Sequence, residues 1–177
     1  MIMLANAGVP MLAIEWPAML LVLLPVIAVE ALVIRQRVKL PYRQATRVSA
    51  AANAASTLVG LPIAWVGMIA LNLLSTGGRA LGLESDAQKI AAVTLQAAWL
   101  VPYEEDLYWM VPAAMLVLLI PNYIVSVWLE VWVGRRLLPQ EDRRGFGKTM
   151  IVANAASYSG LFVICAGWLV YALRTDQ

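Results

Sequence analysis

The chain has 177 residues, of which 62% are hydrophobic and 14% are charged, with a mean hydropathy of +0.74 and a formal net charge of +2. A typical soluble domain has about 25% charged and about 45–50% apolar residues, so this composition argues against a soluble enzyme and a nucleic-acid-binding domain. The absence of histidine removes the commonest general base and transition-metal ligand, and a single cysteine permits neither a disulfide framework nor a zinc cluster. We therefore expect an all-α integral membrane protein with no cofactor and no nucleic-acid partner.

Four apolar segments are long enough to cross a membrane, which takes roughly 20 residues at about 1.5 Å per residue. They are 17–34, 48–74, 109–133 and 150–173. The second segment is long enough to tilt, and Pro62 predicts a kink within it. Two further apolar stretches, 1–14 and 90–101, are predicted to form short helices in the outer membrane interface, because each is too short to cross and adjoins a tryptophan.

The distribution of basic residues predicts the orientation of the chain. Ten of the 13 Lys and Arg residues fall in two loops, one between the first two spans and one between the last two. They are Arg35, Arg37, Lys39, Arg43 and Arg47, followed by Arg135, Arg136, Arg143, Arg144 and Lys148. Since short basic loops stay in the cytoplasm, we expect a protein of the cell (inner) membrane with both termini outside.

A five-residue sequence, Ala-Asn-Ala-Ala-Ser, occurs twice in the chain, at 52–56 and at 153–157. Each copy follows a basic loop, and each loop follows a glutamate that stands five residues before an arginine. These pairs are Glu30 with Arg35 and Glu130 with Arg135. The combined pattern predicts an internal repeat of one helical hairpin.

The repeat predicts the organisation of the whole chain. We expect a single membrane domain over 1–177, with a first hairpin at 11–75, an extracytoplasmic segment with an interfacial helix at 76–104, and a second hairpin at 105–174. Because both hairpins run in the same direction, a pseudo-twofold axis along the membrane normal relates them, which is the parallel form of 2+2 repeat. Four helices make a narrow bundle in the lipid bilayer, so a permeation path is expected to need a homodimer or a larger membrane complex.

Each hairpin places one glutamate and one asparagine at a similar depth. Glu30 lies about 7–8 Å and Asn53 about 9 Å from the basic loop, at the helical rise per residue. Intramembrane carboxylates normally face the interior of the bundle and pair there. We therefore expect Glu30 to pair with Asn53 and Glu130 with Asn154, while pairing between the two hairpins stays open.

Hydroxyl groups extend this polar set, because a serine follows each asparagine at helical spacing. The candidate ion or proton site consists of Glu30, Glu130, Asn53, Asn154, Ser56 and Ser157. Such an all-oxygen set suits protons, Na⁺, Ca²⁺ or Mg²⁺ and suits zinc or copper poorly. The sequence leaves open which metal, if any, binds.

Small residues at helical spacing offer a structural explanation for the same segments. Ala52, Ser56, Gly60 and Ala64 recur every four residues in the second span, and Ala153 with Ser157 and Ala156 with Gly160 form shorter stripes in the fourth. Stripes of this kind let helix backbones approach closely, and Asn and Ser commonly hydrogen-bond across helix contacts. On this interpretation the Glu–Asn pairs are helix-packing clamps.

Two functions are therefore predicted. The first is a small transporter or channel for protons or a hard cation, in which Glu30 and Glu130 bear the charge. The alternative is a non-catalytic membrane subunit or assembly factor, in which the Glu–Asn pairs only hold the helices together. An enzyme is favoured least, because no nucleophile with an adjacent base is visible.

Overall fold

The computed structural model describes residues 8–100 and 105–175. Helices make up almost all of it, joined by short loops and one small strand pair. In chain order the elements are β1 (Val9–Pro10), α1 (Leu12–Val38), α2 (Tyr42–Ala55), a π-helical segment (Ser56–Gly60), α3 (Leu61–Thr76), α4 (Asp86–Leu95), β2 (Trp99–Leu100), α5 (Leu107–Leu137), a 3-10 turn (Gln140–Arg143) and α6 (Phe146–Thr175).

Four helical segments are long and apolar enough to cross a membrane, in agreement with the expectation of a multi-pass α-helical membrane protein. They are Leu12–Val38, Tyr42–Thr76, Leu107–Leu137 and Phe146–Thr175. Each is longer than the apolar segment that predicted it. In α1, for example, Arg35 and Arg37 form the last turn, where cations interact favourably with the helix dipole.

The second membrane-length helix is interrupted at its middle by the π-helical segment. There the backbone N–H of Leu61 donates to the carbonyl oxygen of Ser56, five residues earlier. Pro62 follows directly and has no N–H to donate to the carbonyl group of Leu58. The irregularity expected at Pro62 thus takes the form of a widened turn, which keeps the chain helical across the proline.

Two compact units divide the helices along their length. The first, here called the strand unit, comprises the described residues of Met1–Glu15, Ile63–Pro121 and Phe162–Gln177. Its core includes Met11, Met68, Leu100, Met110 and Leu118, all buried. The second, here called the carboxylate unit, comprises Trp16–Pro62 and Asn122–Leu161.

The strand unit corrects the prediction for 90–101. Helix α4 begins at Asp86, after a capping box in which Ser85 and Gln88 satisfy each other's backbone N–H groups, and it ends at Leu95. Trp99 and Leu100 are then extended and pair antiparallel with β1. The helix is therefore shorter than predicted, and residue 101 of the predicted segment lies outside the described residues.

Gln96, the residue after the end of α4, is buried. Its side-chain amide donates to the carbonyl oxygen of Arg79 over 2.9 Å and accepts from the N–H of Leu81, which fixes the loop before α4. The interfacial helix predicted over 1–14 is not found in the described part of that stretch, where β1 precedes the start of α1 at Leu12. Residues 1–7 of it lie outside the described residues.

The core of the carboxylate unit lies at the helix ends that are joined by the basic loops. Ile34, Val48, Phe146 and Met150 are buried there. A Cβ atom at Gly134 would lie 2.5 Å from Cζ of Phe146, so only glycine allows the ring to pack against α5. This packing fixes the helices that bring the candidate site together.

Candidate functional site

The two glutamates and two asparagines of the predicted site lie on four different helices of the carboxylate unit. Glu30 is on α1, Asn53 on α2, Glu130 on α5 and Asn154 on α6. Each exposes 3% or less of its surface. Burial of two carboxyl groups in this way is costly unless partners satisfy their oxygens.

Each asparagine donates to the glutamate that precedes it in the chain. Nδ2 of Asn53 lies 2.6 Å from Oε2 of Glu30, and Nδ2 of Asn154 lies 2.7 Å from Oε2 of Glu130. The structure thus contains both Glu–Asn pairs expected from the depth of these residues.

The serines connect each glutamate to the other half of the unit. Ser56 donates over 2.7 Å to Oε1 of Glu130, and Ser157 donates over 2.7 Å to Oε1 of Glu30. Sequence reasoning grouped each serine with its own asparagine and left pairing between hairpins open. In the structure these hydroxyl groups make that connection.

Each serine also has a second acceptor within its own helix. The Ser56 hydroxyl lies 3.1 Å from the carbonyl oxygen of Asn53, and the Ser157 hydroxyl lies 3.1 Å from that of Asn154. A hydroxyl group has one hydrogen to donate, and the shorter contact to the carboxylate takes it. The carbonyl oxygen is an alternative acceptor that requires only rotation of the hydroxyl group.

The two carboxyl groups are linked through these residues, since the serine bonded to one glutamate also contacts the carbonyl oxygen of the asparagine bonded to the other. All four carboxylate oxygens have a protein donor. Two negative charges buried in one such cluster repel each other, and uptake of one proton removes that repulsion. We call these six residues, Glu30, Asn53, Ser56, Glu130, Asn154 and Ser157, the carboxyl cluster.

The hydrogen-bond donors of the carboxyl cluster occupy the oxygens that a metal ion would need. Asn N–H and Ser O–H groups direct hydrogens, and not lone pairs, at the carboxylate oxygens that would coordinate a cation. Within residues 8–100 and 105–175 no three His, Cys, Asp or Glu side chains are grouped so that they could hold a metal ion. Oδ1 of Asn154 is buried and accepts no hydrogen bond from the described residues.

Ser49 belongs to the same environment and was missed by sequence reasoning. Its hydroxyl donates over 3.0 Å to the carbonyl oxygen of Ile27 and lies 3.3 Å from Nδ2 of Asn53. Its position four residues before Asn53, on the same helix face, was the available signal. The residue four before Asn154 is Met150, which offers only its carbonyl oxygen, at 3.2 Å.

The small-residue stripes differ between the two helices. Ala52, Ser56, Gly60 and Ala64 are all buried. At Gly60 a Cβ atom would lie 3.1 Å from Cδ1 of Leu129, so α5 approaches the π-helical segment closely.

In α6, by contrast, only part of the predicted stripe is covered. Ala153 and Ser157 are buried, whereas Ala156 and Gly160 are exposed. At Gly160 no described atom lies within 4 Å of where a Cβ atom would be. The packing expected of Ala156 with Gly160 is therefore not formed within the described chain, because that side of α6 is left uncovered.

Comparisons with protein-family models, with curated proteins and with solved structures gave no match to this chain.

Proposed function

We propose that this chain is a small multi-pass membrane protein that transports protons, and that Glu30 and Glu130 together form its proton-binding pair. The observation that carries the proposal is that two buried carboxyl groups from different helices belong to one hydrogen-bonded cluster, with a protein donor at each of their four oxygens. Intramembrane acids of this kind commonly serve proton relays.

The arrangement of donors favours a proton over a hard cation. A cation would have to displace the hydrogens of Asn53 and Asn154 from the carboxylate oxygens, whereas a proton needs only the one oxygen that faces a serine hydroxyl. When a carboxyl group takes up the proton, Ser56 or Ser157 can turn its hydroxyl hydrogen to the carbonyl oxygen 3.1 Å away. The cluster then satisfies both protonation states without movement of a helix.

We further propose that the carboxyl cluster is built from two copies of one hairpin. The contacts of Glu30 and Glu130 support the proposal, since each accepts from an asparagine in its own hairpin and from a serine in the other. In this arrangement the basic loops face the cytoplasm of the inner membrane.

The second candidate is a non-catalytic membrane subunit whose carboxyl cluster is a structural clamp. It is favoured by the same saturation of hydrogen bonds, because a cluster with every carboxylate oxygen satisfied needs no bound ion to be stable. The two candidates differ in what happens when the charge is removed and the shape is kept.

Glutamine substitution separates them, since glutamine has the shape of glutamate and cannot take up a proton at neutral pH. The protein is reconstituted into liposomes containing a pH-sensitive dye, and a potassium diffusion potential drives proton entry. We expect Glu30→Gln combined with Glu130→Gln to abolish dye acidification while thermal stability in detergent stays close to that of the unmodified protein. Proton entry that persists in this variant contradicts the proposal.

The matched control is Glu84→Gln combined with Glu141→Gln, which removes two exposed carboxylates and is expected to leave proton entry unchanged. Sodium and calcium uptake are measured in the same vesicles, because cation flux without proton flux would support a hard cation instead. If no flux of any of these ions occurs and Glu30→Gln lowers the melting temperature strongly, the structural clamp is the better account.

A further inference from the structure

A groove of about 420 Å³ lies at the basic end of α5, within the carboxylate unit. It is lined by Trp128, Val131, Trp132, Arg135, Arg136 and Arg143. Four of these residues recur at spacings of four, three and one along α5, so they share one face of the helix. The groove therefore combines an aromatic half and a cationic half.

The cationic half consists of three arginines. None of Arg135, Arg136 and Arg143 forms an ion pair with any described residue, and no acidic side chain lines the groove. Arg143 is held in place by a 3.0 Å bond from its Nε to the carbonyl oxygen of Leu138. Nη2 of Arg135 passes 3.4 Å from where a Cβ atom at Gly147 would lie. These arginines thus line one site and form no ion pair there with a described residue.

The two tryptophans of the aromatic half are exposed. Trp128 is 63% exposed and Trp132 is 49% exposed, one helical turn apart. The guanidinium carbon of Arg136 lies 3.8 Å from the centre of the Trp132 ring, a cation–π contact that holds both side chains at the rim of the groove. Exposed tryptophans at the end of a membrane-length helix are typical of the head-group level of a bilayer.

The order of these groups along α5 matches one class of ligand. Trp128 and Val131 come first, nearer the middle of the helix, and Arg135 and Arg136 follow at its end. A free phosphate would use only the arginines. We propose that this groove binds an anionic phospholipid, with its phosphate among the three arginines and its acyl chain along Trp128.

The first basic loop provides an internal comparison. The α1 residues at the positions corresponding to Trp128, Trp132, Arg135 and Arg136 are Ala28, Leu32, Arg35 and Gln36. The first loop therefore has a similar number of basic residues but lacks both tryptophans and the adjacent arginine pair. If basic charge alone attracted lipid, both basic loops would contribute equally to lipid binding. Binding in the groove predicts instead that the arginines of α5 contribute more than those of the first loop.

The test measures lipid retention by native mass spectrometry. Purified protein in detergent is titrated with dioleoylphosphatidylglycerol or with dioleoylphosphatidylcholine. We expect the anionic lipid to bind more tightly, and Arg135→Gln with Arg136→Gln to weaken it about 25-fold, at about fivefold per cation near an anionic head group. Trp132→Leu, which introduces the residue found in the first hairpin, is expected to weaken binding of both lipids several-fold.

The control variant is Arg35→Gln with Arg37→Gln, which removes the same charge from the first loop. It is expected to change lipid affinity less than twofold, a small fraction of the loss expected for Arg135→Gln with Arg136→Gln. Equal losses in the two double variants would overturn the proposal in favour of general electrostatic attraction. Equal retention of the two lipids would overturn it as well. Displacement of the anionic lipid by millimolar inorganic phosphate would also overturn it, since it would identify a site for free phosphate.

Discussion

Ser157 on α6 donates a 2.7 Å hydrogen bond to Glu30 on α1, which lies 127 positions earlier in the chain. Ser56 donates a bond of the same length to Glu130. The two bonds cross between the halves of the carboxylate unit, so each carboxylate depends on a donor from each half. Loss of one serine therefore affects a glutamate that lies far from it in sequence.

We predict that Ser56→Ala and Ser157→Ala each lower the free energy of unfolding by about 1–2 kcal/mol, because each leaves a buried carboxylate oxygen without its donor. The two losses should be similar, since the bonds have equal lengths. Unfolding by sodium dodecyl sulfate, followed by circular dichroism, measures both. The control is Ser159→Ala, whose hydroxyl donates only to Ala155 in its own helix, and an equally large loss there would contradict this account.

Asparagine-to-aspartate substitutions should differ between the two halves. Asp at position 154 would replace the donor 2.7 Å from Glu130 by another carboxylate, at a cost of about 3–5 kcal/mol at pH 8. Asp at position 53 would cost less, because the Ser49 hydroxyl, 3.3 Å from the present amide nitrogen, can turn its hydrogen from the carbonyl oxygen of Ile27 to the new carboxylate.

The same comparison has a pH dependence of defined sign. The cost of either aspartate comes from its charged form, so the destabilisation should be smallest at low pH and should grow as the pH rises. Melting temperatures of Asn154→Asp and Asn53→Asp between pH 5 and pH 8 check both points. A pH-independent loss would show that the charge of the new aspartate is not its cause, and a larger loss for Asn53→Asp would contradict the role given to Ser49.

Gly134→Ala should lower the free energy of unfolding by about 1–3 kcal/mol, because the new methyl group would overlap the buried Phe146 ring. Thermal unfolding in detergent measures the loss. Gly160→Ala and Gly167→Ala are the controls, since no described atom lies near either position; they should be neutral or stabilising by up to about 1 kcal/mol. In the double variant, Phe146→Leu should offset part of the Gly134→Ala loss, and strict additivity of the two would argue against the overlap.

The membrane-length helices were predictable from the sequence because long apolar segments leave little other choice for a chain. Their ends were not. Arg35 and Arg37 continue α1 beyond its apolar segment, since the end of a helix accepts basic residues. The segment 90–101 was misread because its apolar composition does not distinguish helix from strand, although Ser85 and Gln88 already signalled the start of α4.

For the candidate site, the helical rise per residue was enough to predict that each glutamate lies at the depth of its asparagine. The structure contains both pairs. The serine bonds between the halves could not be derived, because depth within a helix carries no information about which helices become neighbours. The exposure of Ala156 and Gly160 has the same origin. A small-residue spacing predicts that a helix face permits close approach, without specifying what approaches it.

The π-helical segment at Ser56–Gly60 has a mechanical consequence. Ser56, which holds Glu130, stands at its first residue, whereas Ser157, which holds Glu30, stands within the uninterrupted helix α6. Sharp kinks in helices occur at π-type turns. A change of bend at this turn would therefore act on the Ser56–Glu130 bond, whereas the Ser157–Glu30 bond is made from a regular helix.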